Sequence, residues 1–493
     1  MENIERKSNY SHIMKYTSIF GGIQVLNILI GIVRNKFVAM ILGPGGMGLL
    51  SLFNSTVKLV SESTNLGLPI SGVKTLSQVV DSDNTEEIEN TVSTIRLWSL
   101  ITALLGFLVC SVFGNWFDRL SFNWGDHTLH FVLLAPVVSL MAITGGETAI
   151  LKAARRLGNL ATISFYNVLA LLVVSIPIYY FAGESGIVPS LLVFAFVQLL
   201  ITVSYSFRVF PYKVRFCRSF VAGGMSMIRL GVAFVIAGIM GSGADFVIRS
   251  YLTSNANLYI VGLYNAGYMM TFVYAGMVFS SLDSDYFPRL SATADNKDEQ
   301  NRCVNRQIEV MILLVSPFLV AFVIFMPVLL PLLYSGKFLP VLGMMQVAAL
   351  AMFVRAVSLP VEYLPLAKGN SWLYLFVESV YDMLVVILTI FMYRILGLFG
   401  AGAALVVAML ADYALVYIIM KRKYGYTMSN EVVCYISIFF PIVAMSYIVT
   451  FIESAVVYWL LGILLTVAAS AISVTILHNK TNLWKRLMGK LHR

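Results

Sequence analysis

The chain has 493 residues, is 59% hydrophobic and only 12% charged, and carries a net charge of +9. Its mean hydropathy is +0.83, and soluble domains carry about twice this charged share, so a water-soluble globule is excluded. The basic residues lie in short loops between apolar stretches and not on one polar face, which speaks against nucleic acid as a partner.

Length is therefore better counted in apolar stretches of about 20 residues than in soluble domains. Fourteen membrane spans are expected, at roughly 16–42, 47–70, 95–115, 129–151, 160–182, 187–207, 224–252, 258–283, 306–334, 340–366, 371–394, 398–420, 430–451 and 455–477. The fold class is thus an all-α polytopic membrane protein. The N-terminal apolar run contains Gln24 and Asn27 and continues past any cleavage site, so no removable signal is expected.

Of the 34 Lys and Arg residues, Arg119, Lys337 and Arg394 fall in outer loops if both termini are cytoplasmic. Six more (Arg34, Lys36, Lys58, Arg229, Arg249 and Arg355) lie within spans, and the remainder sit in inner loops, tails or their flanks. That bias fixes the orientation.

The end of the first span, the turn after it and the start of the second read Arg34-Asn35-Lys36-Phe37-Val38-Ala39-Met40-Ile41-Leu42-Gly43-Pro44-Gly45-Gly46-Met47-Gly48. Two cations at bilayer depth cost at least about 2.5 kcal/mol each, so they are expected to face a watery cavity or an anion. Arg34 has no carboxylate within a helical turn, whereas Lys36 points nearly the opposite way and can snorkel. Span 2 is polar from Ser51 to Asn65, and spans 7 and 8 carry Tyr251, Tyr259, Tyr264, Tyr268 and Tyr274. Such a wall suits a sugar, and it equally suits close helix packing through small residues.

Further along, inner loop 81–90 is acidic with helix-capping residues, and residues 208–219 are basic with interleaved aromatics, as for a linker on headgroups. The tail Leu483–Leu491 has leucines at i, i+4 and i+8 beside cations, as in a surface-lying helix. The outer loop at about 116–128 carries Trp116 and Trp124 as interface anchors.

The chain also repeats itself. Gly48-Leu49 matches Gly262-Leu263 and Leu76-Ser77 matches Leu290-Ser291, both 214 positions apart, while Gly158-Asn159 recurs as Gly369-Asn370 at an offset of 211. Asp83-Asn84 and Glu87 are echoed by Asp295-Asn296 and Glu299, and Arg34 has a near-counterpart in Arg249. The expected organisation is an N-lobe over 1–207, a cytoplasmic linker over 208–223, a C-lobe over 224–420, and a last helix pair with a basic tail over 421–493. These are two pseudo-symmetric six-helix lobes plus two helices. Transporters built on such parallel repeats bind substrate near the midplane and alternate access by rocking.

No Walker loop, dinucleotide fingerprint, HExxH, CxxC or GxSxG occurs, so no enzyme is expected. Cys110, Cys217, Cys303 and Cys434 are far apart, and His127 with His130 lacks a third ligand, so neither a disulfide framework nor a metal site is indicated. Charges within or at the ends of spans are Lys58, Glu62, Asp245, Arg249, Asp283, Asp285, Arg355, Glu362, Glu378, Asp382 and Asp412, besides those above. Lys58 with Glu62, and Asp245 with Arg249, are spaced for i,i+4 pairing. Glu378 and Asp382 share a face and can hold a proton or face a crevice. With Asp245 they are the candidate ion-coupling groups, for H+ or Na+.

The 34–48 run, followed by Gly67-Leu68, Gly72-Val73-Lys74 and Leu76-Ser77-Gln78, resembles the Wzx-type polysaccharide flippases. These are O-antigen translocases of the multidrug/oligosaccharidyl-lipid/polysaccharide exporter superfamily. The resemblance covers the whole architecture and is motif-like over about 30–80. It implies a multi-pass bacterial inner-membrane protein that moves undecaprenyl-pyrophosphate-linked oligosaccharide to the periplasmic leaflet, with polysaccharide polymerase and chain-length machinery as partners. The related lipid II flippases carry an arginine at the Arg34 position, which gives Arg34, and then Arg249, the pyrophosphate role; Lys58 and Arg355 join them as cavity cations. Met40 and Pro44 depart from that family's pattern, which argues against lipid II itself as cargo. A multidrug antiporter of the same superfamily, or a membrane-embedded polysaccharide polymerase or ligase, is the alternative; the short outer loops oppose the latter.

Overall fold

In a computed structural model that describes residues 2–80, 84–122, 126–211, 218–274, 276–293 and 296–481, every regular element is helical. The elements are α1 (Glu2–Thr64), α2 (Leu68–Val80), α3 (Thr85–Ser121), α4 (Thr128–Leu133), α5 (Ala135–Ala153), α6 (Leu157–Ala182), α7 (Ile187–Val209) and α8 (Arg218–Asn255). They continue as α9 (Leu258–Tyr268), α10 (Met277–Ala292), α11 (Lys297–Leu333), α12 (Leu342–Glu362), α13 (Leu364–Ala367), α14 (Ser371–Tyr424), α15 (Asn430–Val449) and α16 (Ala455–Thr481). The expected tail helix at 483–491, Trp124, and most of the linker between α7 and α8 lie outside the described residues.

Among the described residues nine helical stretches are long and apolar enough to cross a membrane, and three of them run to 39, 52 and 54 residues. At 1.5 Å per residue these three are too long for one crossing of a core about 30 Å thick. Each is broken at a glycine of positive φ: Gly43 (64°), Gly183 (58°) and Gly397 (63°). Side chains resist that conformation, so these glycines are where the chain turns back.

The turns carry the repeat more clearly than the dipeptides do. Gly183 lies 214 positions before Gly397, and Arg155 (φ 54°) lies 214 before Gly369 (φ 72°). The last pair closes the same turn twice: Arg156 N–H donates to the Leu151 carbonyl, and Asn370 N–H donates to the Pro365 carbonyl. The expected match of Gly158-Asn159 with Gly369-Asn370 is therefore a coincidence. Gly158 and Asn159 lie inside α6, whereas Asn370 caps α14 by accepting from Leu373 N–H at 3.2 Å. Asn84 and Asn296 do match, since both cap helices, accepting from Glu87 and from Asp298 and Glu299.

Two compact units emerge, Met1–Gly262 with Leu333–Ser335, and Leu263–Leu332 with Gly336–Arg493. In the first, α3 packs on α5, α6 on α1, and α8 on both α1 and α3. There the repeat-related stretches 44–48 and 258–262 cross at glycines: a Cβ on Gly48 would strike the Leu258 carbonyl, and one on Gly262 the Pro44 carbonyl. The contact is reciprocal, as at a two-fold axis. In the second unit a large core joins α11, α12, α15 and α16 around Val320, Phe353, Phe439 and Ala469.

Candidate functional site

Polar side chains in the first unit sort into packing and open positions. Ser51, Ser55, Thr56 and Thr64 are buried. Ser55 and Thr56 donate to the Leu52 carbonyl and Thr64 to that of Val60. Most of the 51–65 polarity is thus helix packing, and Asn54 and Lys58, one turn apart, are the open positions.

Lys58 and Arg249 meet over one carboxylate. Lys58 Nζ lies 3.7 Å from Asp245 Oδ2, with the lysine side chain 57% exposed. Arg249 Nη1 lies 2.9 Å from Asp245 Oδ1 and also donates to the Asp245 carbonyl. Arg249 Nε donates to Ser51 Oγ at 2.7 Å, tying α8 to α1. The expected Lys58/Glu62 pair gives way to Lys58/Asp245. Glu62 instead accepts from Asn65 at 3.1 Å and lies against the position a Gly238 Cβ would take. Two cations against Asp245 leave this cluster positive.

Arg34 is held separately. Its Nε donates to Ser175 Oγ at 3.1 Å and its Nη1 reaches Asn35 at 3.4 Å. Two turns earlier, Asn27 donates to Ser164 at 2.8 Å. Asn27 and Arg34 therefore lie on the face of α1 that meets α6, while Val33, Phe37 and Met40 are exposed beside it.

A second polar cluster sits inside the second unit. Arg355 and Glu362, two turns apart on α12, face Glu378 and Tyr381 of α14 and Asp412 beyond its Gly397 break. They line a small cavity of about 30 Å³ with Val377 and Met409. Glu362 is within hydrogen-bond reach of Ser358 and Asp412, and Tyr374 of Glu378. Three carboxyls face one guanidinium, an excess of acid that bound protons would balance. Asp382, expected to work with Glu378, is not among the lining residues, and Asp245 belongs to the first unit's cluster.

One pair escaped the sequence reading. Arg96 and Glu147 are 4% exposed each and form a bidentate bridge at 2.8 and 3.2 Å. Ser206 also donates to Glu147. Arg96 further donates to the carbonyls of Phe210 and Pro211 at 2.9 and 3.0 Å and lies over the Phe207 ring at 4.8 Å. All three guanidinium nitrogens are engaged, in four hydrogen bonds, so the pair is structural. The signal was Glu147 itself, a lone carboxylate in an otherwise apolar span.

Among the described residues no cluster of His, Cys, Asp and Glu could hold a metal ion.

A family model described as polysaccharide biosynthesis protein matches residues 37–343. No curated protein sequence matches. Among solved structures, the chain resembles an inward-facing multidrug resistance MATE transporter of the MOP superfamily (TM-score 0.70, 13% identity, covering 81% of this chain and 94% of that one). It also resembles the lipid II flippase MurJ in an inward closed conformation (TM-score 0.69, 14% identity, 94% and 99%). An outward-facing MATE transporter gives a TM-score of 0.58 at 13% identity over 83% and 93%. At these identities the likeness concerns the fold. The family match spans more than half of the chain, and this multi-pass helical membrane protein belongs to the polysaccharide biosynthesis protein family.

Proposed function

We propose that the protein is a flippase that carries a polyprenyl-pyrophosphate-linked oligosaccharide, an O-antigen or other surface-polysaccharide repeat unit, across the bacterial inner membrane. In this reading both termini are cytoplasmic and the cargo crosses chemically unchanged. The lobes follow the repeat, with 1–207 and 224–420 as its halves. One observation carries the reading: Lys58 and Arg249 converge on a single carboxylate with the lysine open. A pyrophosphate needs cations where the dielectric is low. Arg34 supplies a further guanidinium on α1, and the open Asn54 beside Lys58 suits a sugar hydroxyl.

The cluster in the second unit supports ion coupling. Glu378 keeps the role expected of it, Glu362 and Asp412 join it, and Arg355 balances them instead of binding cargo. A multidrug antiporter is the second reading, favoured by the excess acid of that cluster and by the MATE-like fold.

The test is the appearance of lipid-linked oligosaccharide in the outer leaflet of cells that lack their own flippase. Wild type restores it, and Arg34→Ala and Lys58→Gln, inserted at normal levels, do not. Unchanged transport in both variants would remove the pyrophosphate assignment. Efflux of a cationic dye without oligosaccharide transport would establish the antiporter instead.

A further inference from the structure

The second unit has a polar groove of about 640 Å³ at the start of α11, walled by α15, by the end of α16 and by the 425–429 connection. Its walls are fixed. Asn305 donates to the Thr427 carbonyl at 2.9 Å and accepts from Ser429 N–H at 2.9 Å and from the Tyr426 hydroxyl at 3.3 Å. Lys480 of α16 is taken by Glu309 of α11. Four charges on the groove remain: Arg302 and Arg306 on α11, Asp298 one turn before them, and Glu431 in the first turn of α15. All four are exposed, and among the described residues none of them forms an ion pair with another side chain.

Two guanidiniums and two carboxylates around one groove sum to no net charge. A simple anion or cation would meet as much repulsion as attraction there. A ligand that carries both a phosphate and an ammonium would satisfy all four. The surface beyond the groove shows how that ligand is held. Along the same i+4 row of α11, Arg302 and Arg306 are followed by Val310, Leu314 and Phe318, which are 36%, 42% and 39% exposed. Val433 on α15 adds 48%. A charged headgroup seat therefore opens onto an apolar strip running into the bilayer.

We propose that this groove binds a zwitterionic phospholipid with a primary ammonium headgroup, a phosphatidylethanolamine. The phosphate rests on Arg302 and Arg306, the ammonium donates to Asp298 and Glu431, and an acyl chain follows Val310, Leu314 and Phe318. A trimethylated ammonium has no N–H to donate to the carboxylates, and an anionic glycerol headgroup leaves them opposed. The site is separate from the cargo reading and stands whether or not the protein is a flippase.

The test is competition on the purified full chain in detergent, with retained lipid counted by native mass spectrometry. Phosphatidylethanolamine is expected to outcompete phosphatidylcholine and phosphatidylglycerol of matched chains by about tenfold or more. The double variant Arg302→Gln/Arg306→Gln is expected to lose that retention. Asp298→Asn/Glu431→Gln should drop ethanolamine retention to the choline level without weakening the glycerol lipid. Free phosphoethanolamine should not displace the lipid, because it lacks the tail. Equal retention of the three lipids, preference for the glycerol lipid, or displacement by phosphoethanolamine would overturn the assignment. The wild-type competition decides the matter even if a variant fails to fold.

Discussion

Gly48 and Gly262 each sit where a helix backbone runs against the other helix without a side chain between. Replacing either by alanine is expected to push the two helices apart and cost about 1–3 kcal/mol. Gly31, with nothing within 4 Å of a new Cβ, is the internal control: Gly31→Ala should be neutral or stabilising by about 0.5–1 kcal/mol. Melting of the purified variants in detergent measures both. Arg155 is the converse case. It holds a left-handed turn at φ 54° that its repeat partner gives to glycine. Left-handed backbone costs a side-chain-bearing residue about 1–2 kcal/mol, so Arg155→Gly is expected to raise the melting temperature. A fall would show that the arginine side chain contributes more than the strain it imposes.

At the scale of the helices, the Arg96–Glu147 bridge joins three of them: α3 by the guanidinium, α5 by the carboxylate and α7 through Ser206 and the carbonyls after its last turn. Arg96→Ala leaves a buried carboxylate without its partner and is expected to destabilise by about 3–5 kcal/mol. Replacing both members by apolar residues of similar volume, Arg96→Met with Glu147→Leu, should cost much less than the single change. If the double variant melts no higher than Arg96→Ala, the bonds to Phe210 and Pro211 matter more than the charge pair. This arrangement fixes the backbone just after α7, at Phe210 and Pro211.

On the scale of the whole molecule, a basic cluster lies in one unit and an acidic one in the other, and the proposed function divides the labour between them. If the acidic cluster couples transport to an ion, Glu362→Gln and Asp412→Asn should leave cargo binding intact and remove its dependence on an imposed H+ or Na+ gradient. Flux into proteoliposomes with each gradient in turn would check this, and gradient dependence that survives both changes would place coupling elsewhere. Packing also crosses the repeat. In the proposed lobe division α8 opens the second half, yet it lies on α1 and α3 in the first compact unit, tied there by Arg249 to Ser51.

The residues by themselves determined the membrane class, the helical content and the places where helices stop. Such features follow from local rules: an apolar run must cross lipid as a helix, and an asparagine before acidic residues caps one, as Asn84 and Asn296 do. Partnership was not local. Lys58 has Glu62 one turn away but pairs with Asp245, almost two hundred positions along the chain, because α8 lies against α1. Glu378 lies one turn from Asp382, yet its cavity is shared with Glu362 and Asp412, brought together by the fold-back at Gly397. Spacing on one helix tells which side chains can meet. Only the packing of helices, set by buried apolar faces and close glycine crossings, decides which of them do.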